Sequence, residues 1–320
     1  MASGTIYLNN IKVVRTGRAL GTTSGYVLST NTTSNIKCQG AIFENDYGRG
    51  VQAGGSSLYG AHIISYLDGI YAPFSSANLY DCYIEVTGTG KGTYLSSGTV
   101  SNCHVKSGSG DAIFNGAGKI YNSVGIATNG VGIVCNGEVY DSVGRSTSST
   151  GMNTQRATNC VGISTSGIGI NAISSGRNCV GISTSGVGGT GEFHNSTLIS
   201  SSNYGFSGTG SKALYNCYVE STSNIATFRP NLYNSTVVCK WNNAGGHCTT
   251  SNVLLNLEIV NSSFKVTNAS AYCLNSYGGG VTFSTWKYAN NTFEGSTIPI
   301  TPFLLQGITN TSDSQGNILI

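Results

Sequence analysis

Thirteen acidic residues are available for acid–base chemistry. Glu44 and Asp46 stand two residues apart, so an extended strand would place them on one face, with Asp68 about one repeat further on. Two carboxylates held about 5 to 9.5 Å apart on an exposed face are what glycoside hydrolysis requires. Glu44, Asp46 and Asp68 are therefore the catalytic candidates. The four histidines, His62, His104, His194 and His247, are scattered. Cys103 beside His104 has the residue types of a nucleophile and its base, but adjacent strand residues point to opposite faces. A polysaccharide lyase would add several Asp around Ca²⁺ and an Arg or Lys base, and the sequence shows no such cluster. No metal and no cofactor is expected.

Binding chemistry has a second set of candidates. Trp241, Tyr272, Tyr277, Trp286 and Tyr288 fall in lengthened repeats near the C-terminus and include both tryptophans of the chain. Aromatic rings stack on sugar faces and anchor recognition sites. The alternative is that the same residues cap the open end of the fold.

The elements that must carry these residues follow from a repeat. The phrases Leu79-Tyr80-Asp81-Cys82-Tyr83-Ile84 and Leu214-Tyr215-Asn216-Cys217-Tyr218-Val219 are copies of one unit. Small residues mark its centre at Ala61, Cys82, Cys103, Ser123, Ser142, Cys160, Cys179, Ser196, Cys217, Ser235 and Ser262, with fainter copies near Ile11, Ala41 and Asn291. An apolar residue two positions after the centre gives the period of a strand. Asn or Asp immediately before the centre suits a left-handed corner and, stacked, an amide ladder, which is the reading of Asp81 and Asp141. Glu85 and Lys106 fall on neighbouring repeats as a surface ion pair. The expected fold is all-β: a right-handed parallel β-helix of about 13 coils, each of roughly 19–21 residues. Residues 35–295 form the helix, 1–34 an N-terminal capping or attachment segment, and 296–320 a tail that docks against a neighbouring chain.

Composition agrees. Only 9% of residues are charged while 45 are Gly and 4 are Pro, which excludes helical bundles and collagen. Net charge is +3 without a basic run, so nucleic acid is not an expected partner. No signal peptide and no membrane-spanning run is read, and the ten cysteines are expected as reduced, buried thiols.

Four central repeats break the pattern. Gly125, Gly144, Gly162 and Gly181 replace the inward apolar residue, and Val124, Ile126, Val143, Val161, Ile163, Val180 and Ile182 take the outward columns. Either the strand shifts register and the coil narrows, or these residues form an apolar stripe that packs against copies of the chain.

The repeated Asn-Cys-Val-Gly-Ile-Ser-Thr-Ser-Gly and Tyr-Asn-Cys-x-Val phrases resemble repeats of right-handed β-helix fibre and tailspike proteins of tailed bacteriophages. The resemblance covers roughly residues 35 to 295 and rests on repeat style. It implies a homotrimeric virion appendage, made in the host cytoplasm, that contacts other virion proteins and host cell-surface polysaccharide. The same family includes polysaccharide depolymerases, and a purely structural decoration fibre is a third alternative.

Overall fold

A computed structural model describes residues 5–16, 25–30, 35–208, 212–228, 230–241, 247–251, 257–268, 273–276, 286–295 and 318–319. All regular elements among them are β-strands, and every pairing is parallel. The expected all-β parallel solenoid is what the chain forms. Its coils group into two units, Met1–Ile163 and Ser164–Ile320.

One coil shows the plan. Asn78–Tyr80 runs to a corner at Asp81, Tyr83–Val86 runs to a second turn, and Thr93–Ser97 closes the coil. The corner is left-handed, with φ of 55° at Asp81 and 55° at Asn102. Asn and Asp tolerate this region better than other side-chain-bearing residues. The same conformation occurs at Asn10, Asn122, Asp141, Asn195, Asn216, Asn234 and Asn290, and Gly40 and Gly60 supply it where the column lacks Asn. The faint copies are therefore real coils. Thr5–Asn9, Lys12–Arg15 and Tyr26–Thr30 pair in register with the next coil, so the N-terminal segment is itself built as a coil. At the other end, Ile318–Leu319 lies parallel to Thr292–Phe293 of its own chain.

The corner side chains form the expected ladder. Asn102 Nδ2 donates to Asp81 Oδ1 at 3.0 Å, Asn159 to Asp141 at 3.0 Å, and Asn216 to Asn195 at 3.1 Å. Just inside, the small central residues make a second stack. Ser123 Oγ accepts the Cys103 N–H at 3.1 Å and donates to the Tyr121 carbonyl at 2.7 Å. Ser142 repeats this for Ser123, Ser196 for Cys179, and Ser235 for Cys217. The left-handed corner takes the central N–H out of the strand ladder, and the next coil's hydroxyl satisfies it. Asn291 Oδ1 does the same for Ser262 at 2.9 Å.

Three inner walls enclose the core of the first unit. They carry Leu58, Leu79, Val100 and Ile120; Phe43, Ile63, Ile84 and Val105; and Ile70, Leu95, Ile113 and Ile133, all buried. Each such side chain contributes roughly 1.5–3 kcal/mol by burial. In the second unit Leu214, Leu232, Ile259, Phe193, Phe264 and Phe293 do so. All ten cysteines are buried thiols, packed as small apolar residues.

The glycine column settles the register. Gly125 pairs with Val105 and Gly144 in unbroken register, and in the strand Val124–Ala127 the glycine is buried while Val124 and Ile126 are half-buried outward residues. The strand keeps its register, so the register-shift alternative does not hold, although the coil does narrow here. A Cβ on Gly125 would lie 2.2 Å from the Gly132 carbonyl oxygen, and one on Gly144 would lie 2.2 Å from that of Gly151. Opposite walls meet here with no room for a side chain. In the second unit, a Cβ on Gly181 would lie 2.4 Å from the Gly188 oxygen.

Candidate functional site

The three catalytic candidates each have a structural role or an open position. Glu44 is an outward strand residue whose Oε1 holds Lys12 Nζ at 2.9 Å. Asp46 is exposed in the following bend. Asp68 lies in a turn one coil later, where Oδ2 holds Arg49 Nε at 2.9 Å and Oδ1 accepts the Lys91 N–H at 2.9 Å. Glu85 and Lys106 are register neighbours as expected, and Glu85 also accepts the Tyr83 hydroxyl at 3.0 Å. Cys103 is buried while His104 is an outward strand residue, so the two do not meet as a nucleophile and base. Among the described residues, no group of three or more His, Cys, Asp or Glu is arranged to hold a metal ion.

Of the expected aromatic ligands, Trp241 is half-buried and follows the strand Thr236–Cys239. Trp286 and Tyr288 lie on the strand Trp286–Ala289, and Tyr288 is the register partner of Ile259. That places Tyr288 in a regular coil column. Tyr272 and Tyr277 lie outside the described residues.

A different aromatic surface stands on the first unit. Gln52, Tyr71, Tyr94 and Phe114 are successive register partners on four coils. They alternate with buried residues and so face outward. Tyr71 and Tyr94 meet edge to face with ring centres 5.6 Å apart, and Tyr94 and Phe114 do so at 5.2 Å. Tyr26 adds a tilted ring 6.1 Å from Tyr71.

Three residues before each of these stand Arg49, Asp68, Lys91 and Asp111, of alternating charge. Arg49 pairs with Asp68 at 2.9 Å and Lys91 with Asp111 at 2.9 Å. The cations also cover rings: Arg49 lies 3.8 Å from the Tyr71 centre, and Lys91 lies 3.7 Å from that of Phe114. Asp68 and Asp111 additionally accept the backbone N–H groups of Lys91 and Val131, each at 2.9 Å. A charge ladder and an aromatic ladder thus run side by side.

At one edge the regular coil is interrupted. Ala72 pairs with Leu95 and Ser76 with Ser97, so Pro73, Phe74 and Ser75 stand opposite Ser96 alone. Proline in a sheet is confined to edges and bulges, and bulges re-aim side chains. Here the bulge lifts Phe74 until it is 94% exposed. A groove of about 410 Å³ is lined by Gln52, Gly54, Tyr71, Pro73, Phe74 and Ser75. Sugar rings bind such surfaces through aromatic faces, amides and hydroxyls. Sequence reading missed this site because Tyr71, Tyr94 and Phe114 lie at unequal distances from their repeat centres. The alternation Arg49, Asp68, Lys91, Asp111 was the available signal.

No protein-family model matches the chain, and no curated protein does. Among solved structures it is similar to a mannuronic acid specific polysaccharide family 6 lyase enzyme from human gut microbiota, with a TM-score of 0.37 and 8% identity over 99% of this chain and 85% of that one.

Proposed function

We propose that the chain is a structural, non-enzymatic appendage of a virion surface, a fibre or tailspike-like protein that attaches to host cell-surface polysaccharide. The observation that carries the attachment role is the bulge of Pro73, Phe74 and Ser75, which holds an exposed aromatic ring beside Tyr71 and a largely apolar groove. An exposed ring of this size gains nothing from the fold and is suited to an external ligand. The carboxylates of the adjoining charge ladder, Asp68 and Asp111, are occupied by cations and backbone donors, which favours binding over acid–base cleavage. Copies of the chain assemble as a homotrimer through the outward Val and Ile columns, Val124, Ile126, Val143, Val161 and Ile163 in the first unit and Val180 and Ile182 in the second. The resemblance of the repeat phrases to phage fibres supports the virion setting.

The test is capture of purified bacterial surface polysaccharides by the intact chain and by Phe74→Ala with Tyr71→Ala. Binding by the intact chain and its loss in the double variant is the expected result. Failure to retain any surface polysaccharide sinks the reading, and release of reducing ends replaces attachment with cleavage.

A further inference from the structure

The aromatic and charge ladders carry a statement about which glycan is bound and how it lies, resting on the attachment reading above. We infer that this face takes an uncharged polysaccharide laid along the stacking direction of the coils, one sugar ring per coil from Gln52 to Phe114.

Periodicity sets the direction. Gln52, Tyr71, Tyr94 and Phe114 occupy one column in strict register. Parallel strands repeat every 4.7–4.9 Å or so, close to the length of one pyranose residue in an extended chain. The ring centres follow at 5.6 and 5.2 Å. A polymer running along the column therefore meets a new side chain of the column at each sugar, whereas one running across it meets a single one. Further on the column continues as Val134 and Asn153, so the aromatic run has an end. Near its start, Phe74 of the bulge and Gln52 line the groove.

Charge sets the class. Both cations beside the column are matched by carboxylates at 2.9 Å, and both carboxylates also accept a backbone N–H. A uronate or sulfated chain would have to break these pairs to reach Arg49 or Lys91, and would meet Asp68 and Asp111 between them. The ladder presents alternating, compensated charge, which suits hydroxyl groups and ring C–H faces.

Calorimetric titration with size-graded neutral oligosaccharides (cello- and manno-oligosaccharides of two to six sugars) and with oligogalacturonates of the same lengths tests this. In the intact chain a neutral series should tighten roughly 3- to 10-fold per added sugar, level off at about four sugars, and bind at least roughly 10-fold tighter than the uronates. Tyr94→Ala should flatten the length dependence, while Tyr94→Phe keeps it; melting curves confirm that both variants are folded. Tighter uronate binding, or affinity independent of length with Phe74 still required, overturns the axial, uncharged assignment and leaves glycan attachment standing. Absence of binding to either series, with surface polysaccharide still captured, overturns the assignment alone. Absence of all three overturns both.

Discussion

The guanidinium of Arg49 lies 3.8 Å from the centre of the Tyr71 ring, and the same group holds Asp68 at 2.9 Å. One cation thus fastens two neighbouring coils and stiffens a ring at the proposed ligand surface. Arg49→Met keeps the aliphatic stem but loses both contacts and the hydrogen bond that Nη1 donates to the Tyr26 hydroxyl at 3.2 Å, and should cost about 1 kcal/mol in urea denaturation. Asp68→Asn should cost less, because its side-chain oxygen still accepts the Lys91 N–H. The reverse order would mean that neither the cation–ring contact nor the Tyr26 hydrogen bond contributes.

The corner column makes a prediction that distinguishes conformation from hydrogen bonding. Asn102 has φ of 55° and donates to Asp81. Asn102→Ala loses the ladder bond and forces a Cβ without compensation into the left-handed region, a loss of about 1–2 kcal/mol. Asn102→Gly loses the bond but relaxes the backbone, and should fall within about 0.5 kcal/mol of the parent. Equal losses in chemical denaturation would contradict this.

Where the walls meet, size alone should decide stability. Gly144→Ala places a Cβ 2.2 Å from the Gly151 oxygen and 3.2 Å from Met152 Cβ. Overpacking against backbone should cost about 3 kcal/mol or more. Gly108→Ala meets nothing nearer than 3.3 Å, from the Gly88 oxygen, and should stay within about 0.5 kcal/mol. Melting temperatures of the two variants test the contrast.

Val124→Lys together with Val161→Lys should separate the proposed homotrimer into single chains without unfolding it, since both side chains already face outward. Light scattering reads the result directly. A mass unchanged by the substitutions would remove these columns as the interface.

His247 gives the pH dependence a sign. It is buried, and burial lowers its pKa below the ordinary 6.5. The folded chain keeps the ring neutral while the unfolded chain takes up a proton near pH 6.5 or so. Its contribution is therefore complete above that pH and is lost as the pH falls from about 6.5 through the lowered value. His247→Gln should flatten the fall in melting temperature on acidification; an unaltered slope would assign the effect elsewhere.

The coil plan was legible because its determinants are local. At the repeat centres the Asn or Asp of each phrase takes the left-handed corner coil after coil, and Asn10 and Asn290 do so at the weakest copies. The outward set of Val124 and Ile126 was likewise readable, because strand alternation leaves only one face for Gly125. The ligand surface was not readable in the same way. Its rings come into register only after turns of unequal length have been folded away, and Phe74 owes its exposure to a bulge that shows only against the neighbouring coil. Conversely, the rarity of tryptophan drew attention to Trp286, which the structure places on an ordinary strand.

The hydroxyl stack behind the corners gives the molecule a grain. Cys103 is completed by Ser123, Ser123 by Ser142, Cys217 by Ser235 and Ser235 by Ser262, in every case by a residue further along the chain. At these positions a coil newly made at the ribosome therefore holds a donor that waits for its successor, and a chain cut just after one of them would leave that donor without its hydroxyl. Asn291 breaks the pattern with an amide: Oδ1 accepts from Ser262 while Nδ2 donates to the Ile259 carbonyl at 2.9 Å. There the side-chain amide takes the place that a hydroxyl holds at the earlier positions.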